Sequence, residues 1–238
     1  MAGFFLLFNS CKKQNRCDCF KPRGETVIET RSVGNFNTLH AYDKIDVYFT
    51  QDTTLSAPLV QVKTGKNLAG NVTTNIVDGE LRIENTNKCN FVRGSHNDVA
   101  VYVTAPSVKY FIQDGVGNIF GTNTVVLDTV HCFIYNSGDI HLSVKTQGVM
   151  SHTHGIGDLY LDGVSNSFFS NIVGQGFINA ADLTAGYCFI SFRSNGEARV
   201  RVTGQLDCVV ASTGNIYYTG NPTVVNAKVT GKGAAIKF

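Results

Sequence analysis

The chain has 238 residues, 43% of them hydrophobic and only 16% charged, with 24 Gly, 4 Pro, no Trp and a formal net charge of +2. So much apolar material, with 16 Phe and 9 Tyr, can bury a large core and excludes global disorder, while near-neutral charge without a basic stripe argues against nucleic-acid binding. No apolar run approaches the roughly 18 residues of a membrane-spanning helix, which leaves one oddity, glycine at about 10% against a usual ~7%.

In chain order, Ala2 to Phe8 form a short apolar run that ends at Asn9-Ser10-Cys11 and is followed by Lys12-Lys13-Gln14. Such a run suits only the h-region of a signal peptide, and small residues leading into a Cys resemble a bacterial lipoprotein signal. Residues 1–11 are therefore expected to be that signal, possessing no basic n-region before Ala2, with Cys11 as the lipidated residue; an apolar N-terminus with an ordinary Cys is the alternative. A triacylated Cys11 would anchor the chain to a membrane, each buried methylene adding about 0.8 kcal/mol. Export makes disulfides permissible. Cys17, Cys19 and Cys89 lie in polar stretches and are candidates for pairing, with the connectivity open. Residues 12–26 read as a tether and 27–238 as one β domain, irregular over 27–114 and regular over 115–238.

The irregular part is strand-rich. Ile45-Asp46-Val47-Tyr48-Phe49 and Val99 to Thr104 alternate with the period of a half-buried strand, and Val72 to Val77 and Glu80 to Glu84 flank Asp78-Gly79, a hairpin signal. Only Lys66-Asn67-Leu68-Ala69 hints at a helical turn.

From residue 115 the glycines are periodic. Gly117, Gly138, Gly157, Gly176, Gly196, Gly214 and Gly233 recur at intervals of 21, 19, 19, 20, 18 and 19 residues, each followed two places on by Ile, Ile, Leu, Ile, Ala, Ile and Ala. A repeat of about 19 residues made of short strands cannot bury its apolar face alone and must stack on its neighbours. The expected fold is all-β, a right-handed parallel β-helix with coils about 4.8 Å apart. Glycine then serves corners where φ is positive or where the next coil's backbone comes close. Cys188 and Cys208 are expected at equivalent places in adjacent coils, as buried thiols rather than a disulfide.

One succession of motifs goes further: Arg31, Val33, Phe36 and Leu39, then Ile45 to Gln51, Asn67-Leu68, Asp78 to Ile83, and Val101 to Pro106 leading into Gly115-Val116-Gly117-Asn118-Ile119. It resembles the bacterial head-GIN domain family, labelled auto-transporter adhesins, over about residues 30–238. The resemblance implies a right-handed β-helix in an envelope protein, often a lipoprotein, of Gram-negative bacteria. Surface-exposed lipoproteins in some of these bacteria carry acidic residues after the lipidated Cys; Lys12-Lys13-Gln14-Asn15-Arg16 has none, which leans toward the periplasmic side of the outer membrane.

Candidate chemistry is sparse. Asp139 and Asp158 follow repeat glycines on adjacent coils, and carboxylates about 5 Å apart would suit a polysaccharide hydrolase or lyase. Their column reads Asn, Asp, Asp, Phe, Glu, Asn, Ala, which a corner favouring small polar residues also explains. His152 and His154, joined by His131 or His141, are a conceivable metal set, against solvent-facing histidines near a turn. Gly115-Val116-Gly117 and Gly174-Gln175-Gly176 precede no helix and are not phosphate loops. Phe120, Tyr160, Tyr217 and Tyr218 are expected to face outward and to suit a sugar or protein contact. No cofactor, catalytic residue or metal ligand is assigned. The expected function is a noncatalytic envelope lipoprotein that binds a protein or glycan or forms part of a membrane assembly, with self-association through the solenoid ends; the alternative is a β-helix enzyme acting on polysaccharide through Asp139 and Asp158.

Overall fold

The computed structural model describes residues 22–88 and 99–238, so the signal, most of the tether, and Cys11, Cys17, Cys19 and Cys89 lie outside the described residues. The chain-order elements of the first third are β1 (Thr26–Arg31), β2 (Thr38–Asp43), β3 (Asp46–Gln51), β4 (Leu59–Gly65), β5 (Val72–Val77), β6 (Glu80–Asn85), β7 (Ala100–Ala105), β8 (Tyr110–Gly115) and β9 (Ile119–Gly121). They are followed by β10 (Val125–Ile134), β11 (Ile140–Thr153), β12 (Leu159–Ile172), β13 (Ile178–Phe192), β14 (Glu197–Val210), β15 (Asn215–Thr219), β16 (Val224–Val229) and β17 (Ala235–Lys237). The helical hint near Leu68 is one turn of 3-10 helix at Ala69–Asn71.

These strands stack as a parallel β-helix. A first wall runs β7, β3, β9, the leading halves of β11 to β14, then β15 and β17. A second wall runs β6, β2, β8, the trailing halves of β10 to β14, then β16. Antiparallel strands cover the N-terminal end: β4 lies on β7 and β1 on β4, while β5 pairs with β6 through Asp78 and Gly79, whose φ angles of 51° and 78° are those of the anticipated tight hairpin. At the other end β16 is exposed along its whole length.

Sequence order and spatial order part company in the first third. The β2–β3 coil lies between the β6–β7 coil and the β8–β9 coil, because β2 pairs with both β6 and β8, and β3 with both β7 and β9. No period survives such an insertion, which is why residues 27–114 look irregular as a string.

Beyond it the registry follows the glycine spacing. Ile119, Ile140, Leu159, Ile178, Ala198, Ile216 and Ala235 pair in succession, at offsets of 21, 19, 19, 20, 18 and 19 residues. The first six are buried to 0 or 1% exposure and Ala235 packs partly against them, so the column is an interior ladder. The repeat glycines owe their place to close approach and not to φ: none of the seven has positive φ. A Cβ on Gly138 would strike the carbonyl oxygen of Gly117, one on Gly157 that of Gly138, and one on Gly176 that of Gly157. Inside the same corner Gln113 serves the backbone, its Nε2 donating to Gly117 O at 2.6 Å and its Oε1 accepting from Gly115 N at 2.8 Å.

Cys132, Cys188 and Cys208 are buried free thiols. The expected equivalence of Cys188 and Cys208 is corrected: Cys188 pairs with Leu206, and Cys208 with Ile190. The offset between β13 and β14 is 20 at Ile178–Ala198 but 18 at Cys188–Leu206, because irregularities between Ala180 and Tyr187 absorb two residues.

Candidate functional site

The stacked acids have a backbone task. Asp158 N donates to Asp139 Oδ1 at 2.8 Å, and Phe177 N to Asp158 Oδ1 at 2.8 Å. The same bond recurs along the column from Asn118 N to Asp46 Oδ1 at 3.0 Å, from Asp139 N to Asn118 Oδ1 at 2.9 Å, and from Ala234 N to Asn215 Oδ1 at 2.9 Å. Asp and Asn are interchangeable here because either supplies the one oxygen a corner amide needs. Asp139 and Asp158 are thus adjacent as expected, with one oxygen of each committed to holding the next coil.

The histidines are not gathered. His152 and His154 share the outer face of the second wall, ring centroids 5.9 Å apart, and His152 Nδ1 lies 3.0 Å from Asn171 Nδ2. His131 pairs with Met150, not with either of them, and His141 is on the first wall. Among the described residues no three His, Cys, Asp or Glu side chains stand close enough to hold an ion.

A half-buried polar cluster lies near the N-terminal end. His40 Nδ1 is 2.6 Å from Glu80 Oε1 and 3.0 Å from Tyr42 Oη, and Arg82 Nε donates to the same Glu80 oxygen at 3.0 Å. Burial alone would raise the Glu80 carboxyl, but the hydrogen bonds from Arg82 and His40 outweigh it and hold the acid below its ordinary value.

The feature that sets the first wall apart is a row of rings. Tyr102, Tyr48, Phe120, His141 and Tyr160 occupy one outward column of five successive coils, and their centroids are 5.1, 5.3, 5.0 and 4.3 Å apart. Coil spacing and the preferred separation of aromatic rings coincide. His141 and Tyr160 are parallel within 3°. Burial in this row pushes the His141 imidazole below its usual value although Asp139 and Asp158 oppose it, and raises the Tyr160 phenol, with Asp158 adding to the effect.

Past Tyr160 the column continues Asn179, Arg199, Tyr217 and Ile236. The Arg199 guanidinium lies 5.7 Å from the centre of the Tyr217 ring and is paired with Glu197, Nη2 to Oε1 at 2.9 Å. Two clefts flank Asn179. One of about 280 Å³ is bounded by Asp158, Tyr160, Phe177, Glu197 and Arg199; the other, of about 190 Å³, by His141, Tyr160, Asp162 and Asp182.

Phe120, Tyr160 and Tyr217 therefore stand outward as expected, while Tyr218 packs partly against the core. Tyr48, Tyr102 and His141 were not singled out as members of a contact face. His141 was within reach, since Phe120, His141 and Tyr160 follow the coil offsets of 21 and 19; Tyr48 and Tyr102 belong to coils that carry no period.

Among curated proteins no relative matches the chain. Solved structures do. A protein of Bacteroides fragilis described as a putative adhesin superposes with a TM-score of 0.80 at 22% identity, over 91% of this chain and 99% of that one. A Parabacteroides distasonis protein described as a putative adhesin gives 0.70 at 20% identity over 90% and 98%. A second protein of that organism, described as a putative lipid binding protein, gives 0.69 at 19% over 91% and 98%. These likenesses establish the shared fold. The family model described as "Putative auto-transporter adhesin, head GIN domain" matches residues 35–222, most of the chain, and the protein belongs to that family.

Proposed function

We propose that the protein is a noncatalytic, adhesin-like module of the envelope of a Gram-negative bacterium, held to the outer membrane by lipid on Cys11, and that its first wall is the contact surface. The observation that carries this reading is the outward row Tyr102, Tyr48, Phe120, His141 and Tyr160. A core needs no rings on its outer face, and these five are half-buried, each with part of its ring in contact with solvent along one continuous stripe, as at an interaction surface. The family's description and the adhesin descriptions of its solved neighbours support the same role. Cleavage of a polysaccharide by Asp139 and Asp158 has less support, because each carboxylate already accepts a corner amide.

Binding of the purified protein to immobilised polysaccharides and to intact epithelial and bacterial cells, compared with a Phe120→Ser, His141→Ser double variant, tests the surface. At least a tenfold loss is expected, and unchanged binding would refute it. Incorporation of labelled palmitate by the full-length precursor, abolished in Cys11→Ala, tests the anchor.

A further inference from the structure

Resting on the reading of the first wall as a contact surface, we propose that the break in its ring row at Asn179 is a binding slot for one pyranose ring of a neutral glycan. Within the row each ring covers the faces of its neighbours and presents only an edge to solvent. The two end rings differ: Tyr102 has Gln61 of β4 beside it on its far side, whereas Tyr160 borders a gap. His141 covers one of its faces, at 4.3 Å, and the other looks toward the short side chain of Asn179 in the next coil.

Across that gap, one coil further on, stands Arg199 with Tyr217 behind it. Two coil spacings separate Tyr160 from Arg199, roughly 9.6 Å. A ring seated above Asn179 would lie about 4.8 Å from each, inside the range in which stacked rings are in contact. A saturated chair, thickened by its axial hydrogens, meets that spacing as the flat rings of the row do, and the rim selects between them.

The rim supplies the polar half of sugar recognition. Asp158 and Glu197 stand on one side, Asp162 and Asp182 on the other, and the Asn179 amide makes no hydrogen bond among the described residues. Carboxylates accept strong hydrogen bonds from hydroxyls. Four carboxylates against a single Arg199, itself paired with Glu197, disfavour a uronic acid or a phosphate. The two clefts that meet at Asn179 leave room for the neighbouring sugar of a chain on either side.

The test uses cellobiose, maltose, mannobiose and N,N′-diacetylchitobiose as probes, with glucuronic acid and N-acetyltyrosinamide as contrasts. Saturation-transfer NMR reads the ligand, and intrinsic tyrosine emission, free of Trp, reads the protein. At least one neutral disaccharide is expected to bind wild type and to bind at least tenfold more weakly to Asn179→Phe, which adds the missing ring, and to Tyr160→Ser, which removes the stacking face. Circular dichroism and an unchanged Tm certify the fold, and Asn179→Gln, which keeps the amide, should retain measurable binding. No transfer from any disaccharide at 50 mM, binding unaltered in Asn179→Phe, or binding only of N-acetyltyrosinamide would each overturn the slot. Should Asn179→Phe bind as wild type while the Phe120→Ser, His141→Ser variant loses surface binding, the slot alone fails; should that double variant keep it, the reading of the wall fails.

Discussion

A β-carbon on Gly157 has nowhere to go, because the carbonyl oxygen of Gly138 in the coil below already occupies the space. The obstacle is backbone, which cannot rotate away, with the Ile134 methyl beside it, so Gly157→Ala should cost about 1–3 kcal/mol in a urea titration. Gly34 has nothing within 4 Å of its imagined Cβ and no positive φ. Gly34→Ala should therefore be neutral or stabilise by up to about 1 kcal/mol through the unfolded chain. Equal losses for both would mean that glycine serves flexibility rather than close approach. The Asx column makes a paired forecast. Asp139→Asn keeps the oxygen that accepts from Asp158 N and should leave stability within about 0.5 kcal/mol, while Asp139→Ala orphans that amide at a cost of about 1 kcal/mol. That glycine column was readable from the string because the same clash recurs in each coil from Gly117 to Gly233 and admits one residue type there, while the β2–β3 coil below carries Ile45 at the same place. The role of Asp139 was readable only as a preference, since a corner acceptor and half of a catalytic pair call for the same residue.

At the scale of single elements, the outer faces of the walls predict how the fold answers to acid. Burial holds His131, His141 and His152 below their usual imidazole values, with neighbours secondary in each case. The unfolded chain then takes up protons more readily than the fold once pH drops below about 6.5. Stability should fall from there until the folded-state values are passed, and Glu80, depressed in the fold, adds a further loss at lower pH. Tm should be lower at pH 5 than at pH 7.5, and His141→Phe, which keeps a ring in the row, should remove part of the difference; a flat profile would contradict the histidine contribution. Elements formed by neighbours in sequence, such as the β5–β6 hairpin at Asp78-Gly79, were legible because their signal is local. The pairing of Cys188 with Leu206 was not, because irregularities between β13 and β14 shift the second wall by two residues relative to the first, and counting along the chain does not register them.

For the whole molecule, stacked coils contact only the coils above and below, so opening spreads from an end. The N-terminal end is covered by β1, β4 and β5, whereas β16 has all six residues exposed. Amide exchange should therefore be fastest in β16 and β17 and slowest in β12 and β13. The interior thiols report the same gradient. Burial raises Cys132 to about 12 and Cys208 to about 11, so neither is reactive in place. Cys208, in the coil next to β16, should be alkylated before Cys132 under mild denaturant. Simultaneous labelling would point to a single all-or-none unit instead. The path of the first coils was beyond any periodicity argument, since β2 meets β8 across 72 residues, and with it went Tyr48 and Tyr102.

That insertion bears on how the chain can be assembled at all. A solenoid whose coils lie in chain order can be wound as it is made, each turn settling on the last. Here the β2–β3 coil leaves the ribosome before the neighbours on both of its sides, and its second surface is not covered until Gly121 has followed. Two open edges must be kept from wrong partners for that interval, and the β8–β9 turn must be laid against the earlier coil before the regular winding can begin. The molecule closes its beginning late.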